Sequence, residues 1–324
     1  MAYDIQTWVN VAALAGGGMC MGVGAIGAAI GEGYTAAEAN LAISRNHKMT
    51  RDIFKSMLIG QAIAESASIF ALVIAMILLF SKFSATSYVT VSAILAAGVS
   101  MGFGAIGSGI GAGFPAGAAC TGMARQPAMS GRLTTNMLIG SAVCQTPSIF
   151  ALVVSFILIF SDFSATPVSP GWAAMLGAGF AIGLSAIGSG IGGGVVAGAS
   201  SEGIARQPTA LTPVTNTMLL GQAIAQTPTI LGLLISFILI YKGFPASDTL
   251  SPAMALLGAG ICMGAGAIGP GIGEGVASSG GVKAIARNQE LTGVIVRSML
   301  VGMAVAESTA IYAMVVALVM IFVA

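Results

Sequence analysis

The sequence predicts an all-α membrane protein of eight transmembrane helices arranged as four tandem helical hairpins, and three observations predict it. Only 7% of the residues are charged while 56% belong to the hydrophobic set, the balance of a chain that lives in a bilayer. Apolar runs at 56–80, 137–160, 218–241 and 299–323 meet or exceed the roughly 20 residues needed to span one. One pattern then recurs four times with a period of about 80 residues, the signature of a repeat architecture. A formal net charge of +1 argues against a nucleic-acid partner.

The first hairpin, residues 1–82, begins with a helix containing GVGAIGAAIGEG from Gly22, in which Asp4 is the only charge before Glu32. No short, basic, cleavable leader precedes it, so this helix is expected to be retained. The polar turn SRNHKMTRD, with Arg45 and Asn46, leads into MLIGQAIAESASIF. The second hairpin, 83–164, has GFGAIGSGIGAG from Gly102, the turn Arg125-Gln126-Pro127 and MLIGSAVCQTPSIF. The third, 165–245, has GLSAIGSGIGGG from Gly183, Arg206-Gln207-Pro208 and MLLGQAIAQTPTIL. The fourth, 246–324, has GAGAIGPGIGEG from Gly264, Arg287-Asn288 and MLVGMAVAESTAIY. The linkers SKFSATSY, SDFSATPVSPG and YKGFPASDTLSP carry the Ser, Pro and Gly of non-helical turns. Ten of the twelve Lys and Arg residues fall in or beside the arginine turns, and only Lys82 and Lys242 lie in linkers. The positive-inside rule then puts the turns in the cytoplasm and both termini outside.

Glycine weakens a helix unless another backbone comes close to it. Glycine in each first helix and bulky Ile, Leu, Val and Phe in each second one imply two layers, a crowded inner layer of glycine helices and an outer one of larger side chains. The pattern G-x-G-x-x-G, met by Gly22, Gly24 and Gly27 for example, does not signal a dinucleotide site. No strand precedes it and Ser185 breaks it in the third repeat. Cys20, Cys120, Cys144 and Cys262 lack metal-ligand spacing and read as small buried hydrophobes.

Glu307 lies about eight residues inside the last apolar run, and Glu274 lies 33 residues upstream; Glu32 and Glu65 repeat that spacing. Folding each hairpin at its polar turn brings its two carboxylates to one depth. An ionisable side chain at that depth is costly and marks a functional site. Ser66 follows Glu65, while Ser308, Thr309 and Tyr312 follow Glu307, with Ser308 and Tyr312 on one helix face. Two carboxylates, hydroxyls and a backbone carbonyl supply enough oxygens for a small hard cation, Na⁺ at Glu32/Glu65 and at Glu274/Glu307, with H⁺ as the alternative. One carboxyl of each pair would hold a proton, leaving the loaded site neutral. The middle hairpins have Gln145-Thr146 and Gln226-Thr227 at the Glu65-Ser66 position, and Ala112 and Gly193 at the Glu32 position. Pro147 and Pro228 free the carbonyls of Val143 and Ile224, which correspond to Ile63 and Val305, so these hairpins keep vestigial sites.

Across essentially the whole chain the repeats resemble the rotor-ring c subunit (proteolipid) of ATP synthases. The glycine-rich inner helix, the Arg-Gln-Pro type turn and the outer-helix carboxylate carry the resemblance. The pairs Glu32 with Glu65-Ser66, and Glu274 with Glu307-Ser308-Thr309 and Tyr312, resemble the sodium-binding variety, in which the backbone oxygens at Ile63 and Val305 are ligands. The resemblance implies a multi-pass protein of a bacterial cell membrane, in contact with membrane lipid. It would form part of a two-layer, homo-oligomeric rotor ring, alone or mixed with single-hairpin c subunits. The a subunit of the stator would face the ring. Central-stalk subunits would meet the turns at Arg45, Asn46, Arg125, Gln126, Arg206, Gln207, Arg287 and Asn288. The chain departs from the simple pattern by fusing four hairpins and by lacking the carboxylate in two of them. It shows no nucleophile–base pair or phosphate loop, so it is expected to be a non-catalytic subunit of an ion-transporting ATPase. The alternative is a multi-repeat secondary transporter or channel, disfavoured by parallel repeats without inverted symmetry or a broken helix.

Overall fold

The computed structural model describes residues 4–84 and 87–323; Ala85 and Thr86 of the first linker lie outside the described residues. Among the described residues, eight helical stretches are long and apolar enough to cross a membrane. The first helix of each hairpin runs continuously past the carboxylate level: α1 Ile5–Arg45, α3 Tyr88–Arg125, α6 Val168–Arg206, which is non-helical only at Ser169 near its start, and α9 Leu250–Arg287. The second helix is α2 Thr50–Phe80 in the first hairpin and α10 Thr292–Val323 in the fourth. In the middle hairpins the second span is interrupted, giving α4 Ser130–Cys144 with α5 Thr146–Phe160, and α7 Leu211–Ala225 with α8 Thr227–Tyr241. A broken helix was not expected from the sequence. The breaks fall at Gln145 and Gln226, two residues before Pro147 and Pro228, because a proline supplies no N–H to the residue four back and its ring crowds that carbonyl.

The first helices stand side by side, α1 on α3 on α6 on α9, with the second helices packed behind them. In the apolar stretch of α3 and of α6, 72% of residues are buried, against 39% in α1, 44% in α9 and 17% in α10. The row therefore has two open ends, one at the first hairpin and one at the fourth.

Close backbone approach explains the inner glycines. A methyl on Gly27 would lie 2.2 Å from the Ile106 oxygen, one on Gly107 2.3 Å from that of Ile187, and one on Gly188 2.3 Å from that of Ile268. Looking the other way, methyls on Gly109, Gly190 and Gly271 would lie within 2.4–2.6 Å of the preceding helix's backbone. At the ends this pattern has no counterpart. Gly269, the fourth hairpin's equivalent of Gly27, has nothing within 4 Å, and neither does Gly33 at the first hairpin's outward face.

Small donors staple three of the four hairpins at one equivalent position, where the third hairpin has Ala181. Cys20, Ser100 and Cys262, at equivalent positions, donate to the carbonyls of Ala71, Ala151 and Ala313 at 3.3, 3.0 and 3.7 Å. All four cysteines are free thiols. The buried apolar side chains form two clusters. One lies toward the linkers around Ile74, Met101, Leu158 and Ile182, the other toward the arginine turns around Ile53, Met137, Ile204 and Met218. Between them is a band where backbones touch through glycine and where the carboxylates lie.

Candidate functional site

Within a hairpin, one side chain of the second helix pins the backbone at the carboxylate level of the first. Gln61 Nε2 donates to the Glu32 carbonyl at 3.2 Å, Ser141 Oγ to that of Ala112 at 3.3 Å, and Gln222 Nε2 to that of Gly193 at 3.0 Å. Gln222 also donates to the Gly140 carbonyl of the neighbouring hairpin at 2.9 Å. Met303 fills this position in the fourth hairpin and has no N–H or O–H to give. Sequence reasoning passed over Gln61 and Gln222. The repeated MLIGQ and MLLGQ were the signal that could have found them.

Between hairpins, the register of the second helices decides which groups meet. Gln145 Nε2 reaches back 82 residues to the Ile63 carbonyl at 3.1 Å, and Gln226 Nε2 reaches back 83 residues to the Val143 carbonyl at 3.1 Å. Pro147 has left Val143 without its usual helical donor. The N–H of Ser148 turns instead to Ser108 Oγ at 3.3 Å. Position 145 of one hairpin thus meets position 63 of the hairpin before it. Carried one hairpin further, the same register would set position 307 against position 224, whose carbonyl Pro228 deprives of its usual helical donor. Thr227, like Thr146, is half-buried beside its proline.

The four carboxyls occupy two different settings. Glu274 is fully buried, and neither of its oxygens has a hydrogen-bond partner; Ser278 Oγ, one turn further on, is also buried without one. Glu307, on the second helix of the same hairpin, is half-buried. Glu32 and Glu65 stand at the open end of the row, where Glu32 is half-buried and Glu65 exposed. A buried carboxylate with no donor is costly; a proton or a cation removes that cost.

The hydroxyls following the outer carboxyls do not gather around them. Ser66 Oγ donates to the Ile63 carbonyl at 2.6 Å, Ser308 Oγ to that of Val305 at 2.7 Å and Thr309 Oγ1 to that of Ala306 at 3.1 Å. Val305 and Tyr312 are 68% and 64% exposed. Val305, Ser308, Thr309 and Tyr312 belong to the free flank of α10, whereas Glu274 is fully buried.

The arginine turns share one end of the row. Arg45, Arg125, Arg206 and Arg287 are exposed, and Asn46, Gln126, Gln207 and Asn288 each cap the preceding helix by donating a backbone N–H four residues back. Neighbouring turns touch: Asn46 Nδ2 donates to the Ala124 carbonyl at 3.2 Å and Gln289 Nε2 to Thr209 Oγ1 at 2.9 Å. Glu202 joins Arg206 of its own helix and Lys283 of the next at 3.5 Å. At the opposite end the Asp162 carboxyl is held below the usual carboxylate range by the N–H and hydroxyl of Ser164.

Comparison with known proteins returns one family, four times over. The ATP synthase C-subunit family matches residues 15–78, 95–158, 176–239 and 257–320. An ATP synthase c subunit of Petrotoga mobilis is 53% identical over 68 residues, 21% of this chain and 71% of the relative. One of Alkaliphilus oremlandii is 50% identical over 70 residues, 22% of this chain and 78% of the relative. One of Dehalococcoides mccartyi is 54% identical over 69 residues, covering 21% and 91%.

Proposed function

The chain belongs to the ATP synthase C-subunit family, the non-catalytic ion-translocating rotor of the complex, and from that premise we propose that it carries cations on Glu65 and Glu307 at two of its four hairpin interfaces. The observation that carries this reading is Glu274: two buried carboxyl oxygens with no hydrogen-bond donor, in the hairpin that also carries Glu307. A cation placed there meets Glu274 and Glu307 from the fourth hairpin, and the Ile224 carbonyl and Thr227 from the third. The matching site at Glu32 and Glu65 has its carboxyls at the open end of the row. A second copy of the chain completes it, contributing the Val305 carbonyl, Ser308, Thr309 and Tyr312. The unfilled faces of Gly269 and Gly33 support such a partner, because they repeat the half-contacts that join the hairpins inside the chain.

Na⁺ is the proposed cargo, since an oxygen-only set with several neutral ligands suits a hard cation. The ring is turned against the stator's a subunit. The arginine turns face the cytoplasm and the central stalk, and the outer helices face the lipid of a bacterial cell membrane. With carboxylates in two of four hairpins, a ring of this chain alone moves about half the ions per turn of a fully furnished one. Each monovalent ion crossing 100 mV exchanges about 2.3 kcal/mol. Halving the count favours an ATP-driven Na⁺ pump, or a ring mixed with single-hairpin subunits, over synthesis by this chain alone.

The test is reaction of the purified ring with a hydrophobic carbodiimide, mapped by mass spectrometry. Glu65 and Glu307 are expected to be labelled and Na⁺ to protect both, more strongly at higher pH, where protons compete less. Labelling indifferent to Na⁺ points to a proton ring, and absence of labelling at both glutamates refutes the carrier assignment.

A further inference from the structure

The middle hairpins have lost their carboxylates, yet their interfaces are occupied. Gln145 is 7% exposed and its Nε2 donates to the Ile63 carbonyl at 3.1 Å and, at 3.5 Å, to that of Ser108. Gln226 Nε2 donates to the Val143 carbonyl at 3.1 Å. Ser108 is in Gln145's own hairpin, but Ile63 and Val143 belong to the preceding one, at the position whose counterparts, Ile224 and Val305, serve the proposed ion sites.

An amide N–H and a metal cation both present positive charge to a carbonyl oxygen. They differ in that the amide is covalently fixed, does not exchange and carries no net charge. An ionised carboxylate has only acceptors, so Glu307 opposite the Ile224 carbonyl brings two acceptors together, and something positive must stand between them. Gln145 and Gln226 bring that positive end themselves.

We propose that Gln145 and Gln226 are fixed surrogates for the transported cation, each amide nitrogen filling between two hairpins the place that an ion fills between hairpins three and four and between copies. The chain is thereby latched internally by amides and at its working interfaces by exchangeable ions; the second half of this statement rests on the carrier reading above. Pro147 belongs to the same device. By removing Val143's helical donor it leaves that carbonyl free for Gln226. Ile63, followed by Ala67 rather than proline, shares its carbonyl among Ser66, Gln145 and the helix.

The interface between copies has Glu65 and no amide, so a surrogate can be installed there. Rings carrying Glu65→Gln and Glu65→Leu are purified and heated in SDS with and without NaCl, and the intact ring is scored against free chain on a gel. The Gln ring is expected to survive about fivefold better than the Leu ring per interface, the worth of one net hydrogen bond, with survival independent of NaCl. Equal survival of the two overturns the proposal. Should neither variant assemble, wild type is compared with Gln145→Leu, where the covalent chain keeps the hairpins together. A resistance to SDS unfolding about fivefold lower is expected, and unchanged resistance overturns the proposal. Na⁺ protection of Glu307 in the wild-type ring is read separately. Its absence removes the carrier reading while leaving the amide latch to stand or fall on Gln145→Leu.

Discussion

Gly192→Ala is expected to open the ion site at Glu307 without touching any of its ligands. A methyl on Gly192 would lie 2.0 Å from the Gly271 oxygen, where ordinary contact begins at 3.4 Å, so α6 and α9 must part by about 1.4 Å at that level. Sliding along the axis brings no relief, since Gly275 already presses its own side of α9 onto the Gly192 backbone. Overpacking of this kind costs about 1–3 kcal/mol. Its local consequence is sharper, because Glu274 rides on α9 three residues from Gly271 while Ile224 and Thr227 belong to the third hairpin. Ion ligands tolerate displacements of about 0.2 Å, several times less than the opening required. In the carbodiimide assay, Na⁺ protection of Glu307 should fall at least tenfold while protection of Glu65 stays within twofold, as order-of-magnitude expectations for losing ligands at one site only. The control is Gly280→Ala, also in α9, where nothing lies within 4 Å and alanine gains about 0.8–1.0 kcal/mol of helix propensity. Full Na⁺ protection of Glu307 in the Gly192→Ala ring would refute the idea that glycine packing holds the carboxylates against the third hairpin.

Three further outcomes follow from the same geometry. Thr227→Val should weaken Na⁺ protection at Glu307 alone, and Ser308→Ala at Glu65 alone; an effect of Ser308→Ala confined to Glu307 would reverse the assignment of neighbours. Gln222→Leu removes bonds to two carbonyls in a fully buried setting and should cost about 1–3 kcal/mol in SDS unfolding monitored by circular dichroism. Gln145→Glu with Ala112→Glu should raise the Na⁺ moved per ATP hydrolysed in proteoliposomes about 1.5-fold, as three carrier interfaces replace two, each still exchanging about 2.3 kcal/mol per 100 mV. An unchanged ratio would mean that the first-to-second interface accepts no ion.

The hairpins and their two layers could be read from the sequence because a period of about 80 residues and the segregation of glycine from bulky residues follow directly from chain geometry. The breaks at Gln145 and Gln226 were half visible. The prolines marked freed carbonyls, but not that a span would divide there or that Gln226 would claim the oxygen of Val143. Hidden altogether was the direction in which each face looks. Helical periodicity puts Ser308 and Tyr312 on one face, yet only packing decides that this face leaves Glu307 behind and turns to the row's open end. Glu32 and Glu274 make the same point. They are the same residue in the same motif, one half-buried at an end and the other sealed between hairpins, and nothing local in the sequence separates them.

The alternation of contacts along the row also sets a rhythm. The third-to-fourth interface and the one between copies are consecutive, whereas the two latched by Gln145 and Gln226 follow one another. In a ring built from this chain alone, loaded positions would pass a fixed stator in couples: two sites one hairpin apart, then a stretch of three hairpin steps with nothing to hand over. A rotor of this kind advances in a limp rather than an even gait. Whatever spans the empty stretch, elastic twist stored in the stalk or thermal drift of the ring, has to reach about three times as far as it does between the two members of a couple.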